Sequence, residues 1–122
     1  MQISESKENY LETIYILLKQ NNTVLAIDIA NYLGYSRASV SAALKELGSM
    51  NLIKVGLHKA ISLTPAGLEL ASQIHDRHCF FSDLLENAGI EQNAAENDAC
   101  KLMHAISTES FLKLKRSIRA VR

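Results

Sequence analysis

Leu25-Ala26-Ile27-Asp28-Ile29-Ala30-Asn31-Tyr32-Leu33-Gly34-Tyr35-Ser36-Arg37-Ala38-Ser39-Val40-Ser41 is the stretch that decides the fold. A short apolar run stops at Gly34, and two residues later Ser36 stands where a helix N-cap belongs. The pattern predicts two helices joined by a tight turn, the second with Val40, Leu44 and Leu47 as its buried stripe. Ser36, Arg37, Ala38, Ser39, Ser41, Ala42 and Lys45 point elsewhere. Small or polar side chains on that face let a helix backbone approach base edges and phosphates, which bulky apolar ones would hold away. We therefore expect a recognition helix for double-stranded operator DNA, with Arg37 as the leading base or phosphate contact.

Upstream, residues 4–20 read as an amphipathic helix in which Tyr10, Ile14, Leu17 and Leu18 repeat at helical spacing, with Ser4 or Ser6 as cap and Asn21-Asn22 as stop. Downstream, Leu52-Ile53-Lys54-Val55 and Ala60-Ile61-Ser62-Leu63-Thr64 are β-prone runs separated by Gly56-Leu57-His58-Lys59. This predicts a hairpin wing whose basic tip carries Lys59. Thr64-Pro65 pairs a cap with a proline at the first helical position, so a long helix should run from there to about Asn87. Ala88-Gly89 breaks it, Glu91 to about Ile106 forms another, and Ser107-Thr108-Glu109-Ser110 caps a last helix with Phe111, Leu112, Leu114 and Ile118 on its apolar side. The expected architecture is mainly α: a winged helix-turn-helix over residues 1–64 and a helical domain over residues 65–122.

A chain of 122 residues with 48% hydrophobic content has ample material for a core. No apolar run approaches the roughly 18 residues needed to cross a bilayer, and the polar start Met1-Gln2-Ile3-Ser4-Glu5-Ser6-Lys7 is not that of a signal peptide. A cytoplasmic protein with no membrane partner is expected, and its two cysteines, Cys79 and Cys100, should be thiols or metal ligands there. The zero net charge hides a segregation. Residues 1–64 carry six Lys/Arg and five Asp/Glu, residues 65–110 carry two and eight, and residues 111–122 carry five and none. So lightly charged a head needs two copies acting together for useful DNA affinity, which predicts a symmetric homodimer on a palindromic site. The apolar positions after residue 88 are the expected dimer surface. An enzyme is not indicated, because neither a Ser-His-Asp arrangement nor a glycine-rich phosphate loop occurs.

A second constellation lies in Asn97-Asp98-Ala99-Cys100-Lys101-Leu102-Met103-His104-Ala105-Ile106-Ser107. At helical pitch Cys100, Met103 and His104 share a face with Glu96, and His78 sits on the preceding helix. Thiolate, thioether and imidazole suit mid-series and soft divalent ions, whereas carboxylate suits harder ones, so the set points to a transition metal without naming it. Taken singly, a methionine or cysteine on a helix face is more often packing than coordination. The residues alone also allow a metal-independent winged-helix regulator with redox-sensitive Cys79 and Cys100, or a metal-binding interaction module that does not touch DNA.

The order of motifs adds weight. Asn9-Tyr10-Leu11-Glu12-Thr13-Ile14-Tyr15, Ser36-Arg37-Ala38-Ser39-Val40-Ser41, Leu63-Thr64-Pro65-Ala66-Gly67, Arg77-His78 and Asp98-Ala99-Cys100 ending in Met103-His104 together resemble the iron- and manganese-dependent repressors of the DtxR/MntR type, over nearly the whole chain. The resemblance implies a metal-dependent repressor that binds operator DNA as a homodimer when Fe(II) or Mn(II) is bound, with Zn(II), Co(II) or Ni(II) as further possibilities. It implies ligands on the first helix at Asn9 and Glu12, together with His78, Cys100 and His104. In that family a carboxylate usually stands where this chain has Met103, and Asp or Met where it has Asn9. Glu96 and Ser82 occupy positions of an ancillary histidine and an ancillary acid.

Overall fold

The computed structural model describes residues 3–121, with side chains through Ile118. The chain forms two compact units, Met1–Gln73 and Ile74–Arg122. Six α-helices occur among the described residues: α1 (Glu5–Gln20), α2 (Ala26–Leu33), α3 (Arg37–Ser49), α4 (Pro65–Asn87), α5 (Gln92–Ala105) and α6 (Thr108–Val121). Two short strands, β1 (Ile53–Val55) and β2 (Ile61–Leu63), pair antiparallel with Ile53 opposite Leu63.

The first unit is a winged helix-turn-helix, and its local signals act as the sequence predicts. Ser4 caps α1 by accepting from the Lys7 amide at 3.2 Å, and Ser36 caps α3 by accepting from the Ser39 amide at 3.1 Å. Gly34 ends α2 at φ 71°, where the Tyr35 amide reaches back to the Ala30 carbonyl at 3.1 Å and closes a Schellman turn. Tyr10, Leu11, Ile14, Val24, Ile29, Val40, Leu47, Leu52 and Ile61 make the core, all nearly or fully buried. The Ile61 amide donates to the Val24 carbonyl at 2.9 Å, tying the wing to the segment before α2. The start of α4 belongs to this unit as well. Buried Thr64 donates to the Asn51 carbonyl and accepts from the Gly67 amide, so one hydroxyl both caps α4 and anchors it to the end of α3.

The second unit holds the rest of α4, with α5 and α6. Gly89 at φ 93° ends α4 through a second Schellman turn, in which the Ile90 amide donates to the Leu85 carbonyl at 3.1 Å. Glu91 and Ser107 cap α5 and α6. Ile74, Phe81, Ala95, Ala99, Met103 and Phe111 are buried, and the rings of Phe80, Phe81 and Phe111 meet with centroids 5.2 to 5.9 Å apart. Leu112, expected on the apolar side of α6, is half exposed, because it follows Phe111 by one residue and so turns about 100° away from it. Helix α4 starts at Pro65, and the compact head extends to Gln73, beyond the division expected at residues 64 and 65. No helix among the described residues is long and apolar enough to cross a membrane.

Candidate functional site

Helix α3 presents the face the sequence assigns to it. Ser36, Arg37, Ala38, Ser39, Ser41, Ala42 and Lys45 are all exposed, while Val40, Leu44 and Leu47 are buried. Arg37, Ser41 and Lys45 line a cleft of about 480 Å³ together with His58 and Lys59 of the wing, over an apolar floor that includes Leu25, Ile27, Leu44, Val55 and Ile61. No carboxylate lines it. Arg37, Ser41 and Lys45 of the exposed α3 face thus meet Lys59 of the wing in one cationic groove, a shape suited to a phosphate backbone and the groove beside it. Ser36 and Ser39 lie on the other flank of α3, where their hydroxyls bond at 2.9 Å. Ser36 Oγ is committed to the cap and fixes the start of α3, and Arg37 stands in the first turn beyond it.

The wing tip is built on unusual backbone. His58 and Lys59 have φ 55° and 63°, and the Ala60 amide donates to the Leu57 carbonyl at 3.1 Å, which gives a hairpin turn with both central residues left-handed. Such turns favour Asn-Gly, so a histidine and a lysine there carry strain that holds two side chains at the tip. Leu57 beside them is the most exposed large apolar side chain among the described residues, at 81%. The sequence pointed to Lys59 but missed His58 and Leu57, because nothing in Gly56-Leu57-His58-Lys59 advertises a two-residue left-handed turn.

The predicted metal ligands divide by helix. On α5, Ala95, Ala99 and Met103 form the fully buried stripe, and Glu96, Cys100 and His104 form a parallel row one position round, with Glu96 exposed and Cys100 and His104 partly buried. Met103 is 2% exposed and sits in the core stripe. Its carbonyl accepts from Arg77 Nη2 at 2.6 Å. On α4, His78 continues the inward stripe of Ala71 and Ile74 and is partly buried. On α1, Asn9 is partly buried and Glu12 is 7% exposed, a low value for a carboxylate. Asn9, Glu12, His78, Cys100 and His104 each have a polar, ionic, ring or electrostatic partner. Among the described residues no three His, Cys, Asp or Glu side chains are gathered as a ready-made metal cage. In kind, the thiol and imidazoles fit a borderline transition ion.

Arg77, beside His78, was legible only as part of a motif. Its guanidinium donates to the Met103 and Ile106 carbonyls at 2.6 and 2.5 Å and lies over the Phe111 ring at 5.4 Å. A cation thus clasps the C-terminal end of α5, where the helix dipole and orphan carbonyls favour it. The clasp fixes the turn of α5 that carries Cys100 and His104.

Residues 2–61 match the family described as iron dependent repressor, N-terminal DNA binding domain, and residues 64–122 match iron dependent repressor, metal binding and dimerisation domain. An HTH-type transcriptional regulator of Methanocaldococcus jannaschii, itself uncharacterised, is 34% identical over 93% of the chain and 92% of its own length. The transcriptional regulator MntR of Escherichia coli O6:H1 is 30% identical over 85% of the chain and 67% of its own length. The solved manganese regulator SloR superposes with a TM-score of 0.82 at 25% identity over 93% of the chain; the chain spans about half its length, 53%.

Proposed function

This chain belongs to the iron dependent repressor family, and from that premise we propose that it binds operator DNA as a homodimer in a form stabilised by Fe(II) or Mn(II). The observation that carries the reading is the row Cys100 and His104, held beside a core stripe and clasped by Arg77, in a chain whose other unit exposes a cationic recognition groove. His78, Cys100 and His104 of the second unit would hold the ion, with Glu96 of α5 as a further donor. A bound divalent cation supplies positive charge and fixed donor geometry in an acidic stretch of chain. Arg37, Ser41, Lys45 and Lys59 contact phosphates and base edges, and Ser36, Ala38 and Ser39 allow close approach of α3. The setting is the cytoplasm.

Met103 replaces the carboxylate usual at its position in the family and lies in the core stripe, so α5 offers thiolate and imidazole in place of a hard oxygen donor. That donor set shifts preference from Mn(II) toward Fe(II) and softer ions. The test is an anisotropy titration on a DNA fragment selected from a random pool, run with Fe(II), Mn(II), Zn(II) and chelator. Metal should tighten binding by about 5- to 150-fold. Cys100→Ala and His104→Ala should each abolish the difference. Equal affinity in all four conditions overturns metal gating, and no selectable DNA overturns operator binding.

A further inference from the structure

We propose that His75 and Cys79 on α4 form a separate site for a borderline or soft divalent cation of the zinc, cobalt or cadmium class. The two residues stand one turn apart, with Cys79 Sγ 3.5 Å from His75 Nε2. A tetrahedral zinc with a sulfur at roughly 2.3 Å and a nitrogen at roughly 2.0 Å holds those two ligands about 3.5 Å from each other. The pair therefore already has the bite that such an ion requires, and closing on it costs little side-chain ordering.

The surroundings favour a cation. Cys79 is exposed and opens into a cavity of about 150 Å³ that Asp76, Asp83 and Lys115 also line. Lys115 is bonded to Asp76, which offsets its charge locally, and the Asp83 carboxylate adds negative potential on the same cavity wall. Neither His75 nor Cys79 belongs to the row Glu96, Cys100 and His104, nor to the inward stripe that carries His78. Water completes the coordination shell, which makes the site open and exchangeable, unlike a closed four-ligand structural site. Binding releases the Cys79 thiol proton to solvent, since the thiolate is the ligand.

The two-cysteine composition makes the test clean. In Cys100→Ser full-length protein, Cys79 is the single thiol, so any sulfur-to-cobalt charge-transfer absorption on titration with Co(II) reports that residue. We expect the band to saturate at one Co(II) per chain. Adding Cys79→Ser should abolish it, and adding His75→Ala should weaken Co(II) binding by about tenfold or more, with unchanged circular dichroism in both. Absence of the band at saturating Co(II), or a band whose affinity ignores His75→Ala, overturns the proposal. Because Cys100 is absent throughout, the outcome is independent of whether the family site gates DNA binding.

Discussion

Single residues carry effects that the fold makes measurable. Burial, and secondarily the neighbouring Tyr35 phenol, pushes the Tyr10 hydroxyl above its usual value of 10. A raised folded-state value means that the native chain keeps a proton the unfolded chain gives up, so this stability is whole below pH 10 and is lost as pH climbs from 10 toward the folded-state value. Ultraviolet titration should find the Tyr10 phenol ionising late, and Tyr10→Phe should remove that late step. At the wing tip, His58→Asn places a residue tolerant of left-handed backbone at φ 55°, and should stabilise the protein by about 0.5–1 kcal/mol in urea denaturation while weakening DNA binding. Gly67→Ala acts oppositely. A β-carbon there collides with the Leu52 backbone carbonyl, which neither α4 nor the residue before β1 can yield without moving, and a loss above about 3 kcal/mol or an unfolded head by circular dichroism should follow. Nothing in Thr64-Pro65-Ala66-Gly67 reveals that contact, since it depends on where the polypeptide leaves α3.

Elements were legible where capping and periodicity agree. Ser4, Gly34, Ser36, Thr64, Gly89 and Ser107 bound the helices within a residue or so of the expected positions, because each acts through a local hydrogen bond with the backbone. The recognition face followed for the same reason, as Val40, Leu44 and Leu47 leave one orientation for the exposed residues. Periodicity could not tell Met103 as packing from Met103 as ligand, since both put it on an inward face; the choice depends on how far α5 is rolled against α4, a tertiary quantity. The Arg77 clasp was hidden likewise, its acceptors lying 26 and 29 residues away in sequence. Arg77→Met keeps the buried stem but orphans the Met103 and Ile106 carbonyls, and should destabilise the protein by about 2 kcal/mol in urea titration. Arg77→Lys should recover little of it, because an ammonium cannot span both acceptors in one plane.

At the scale of the whole molecule, charge placement governs recognition more than net charge does. The zero total conceals a cleft lined by Arg37, Lys45, His58 and Lys59 with no carboxylate, so DNA affinity should be steeply salt dependent despite a neutral chain. Three lysine and arginine contacts per head, doubled in the proposed homodimer, give a slope of log K against log salt near −5, and a value near −3 would mean that one head binds alone. The division of labour also shows in the aromatic residues. Tyr10, Tyr15, Tyr32 and Tyr35 all fall in the first unit, Phe80, Phe81 and Phe111 all fall in the second, and the chain has no tryptophan. Light absorbed at the phenol band is therefore taken up by the DNA-reading unit alone. Tyr35, packed edge-on against Tyr10 one residue before the Ser36 cap, makes native emission a label-free reporter of how the recognition helix is seated.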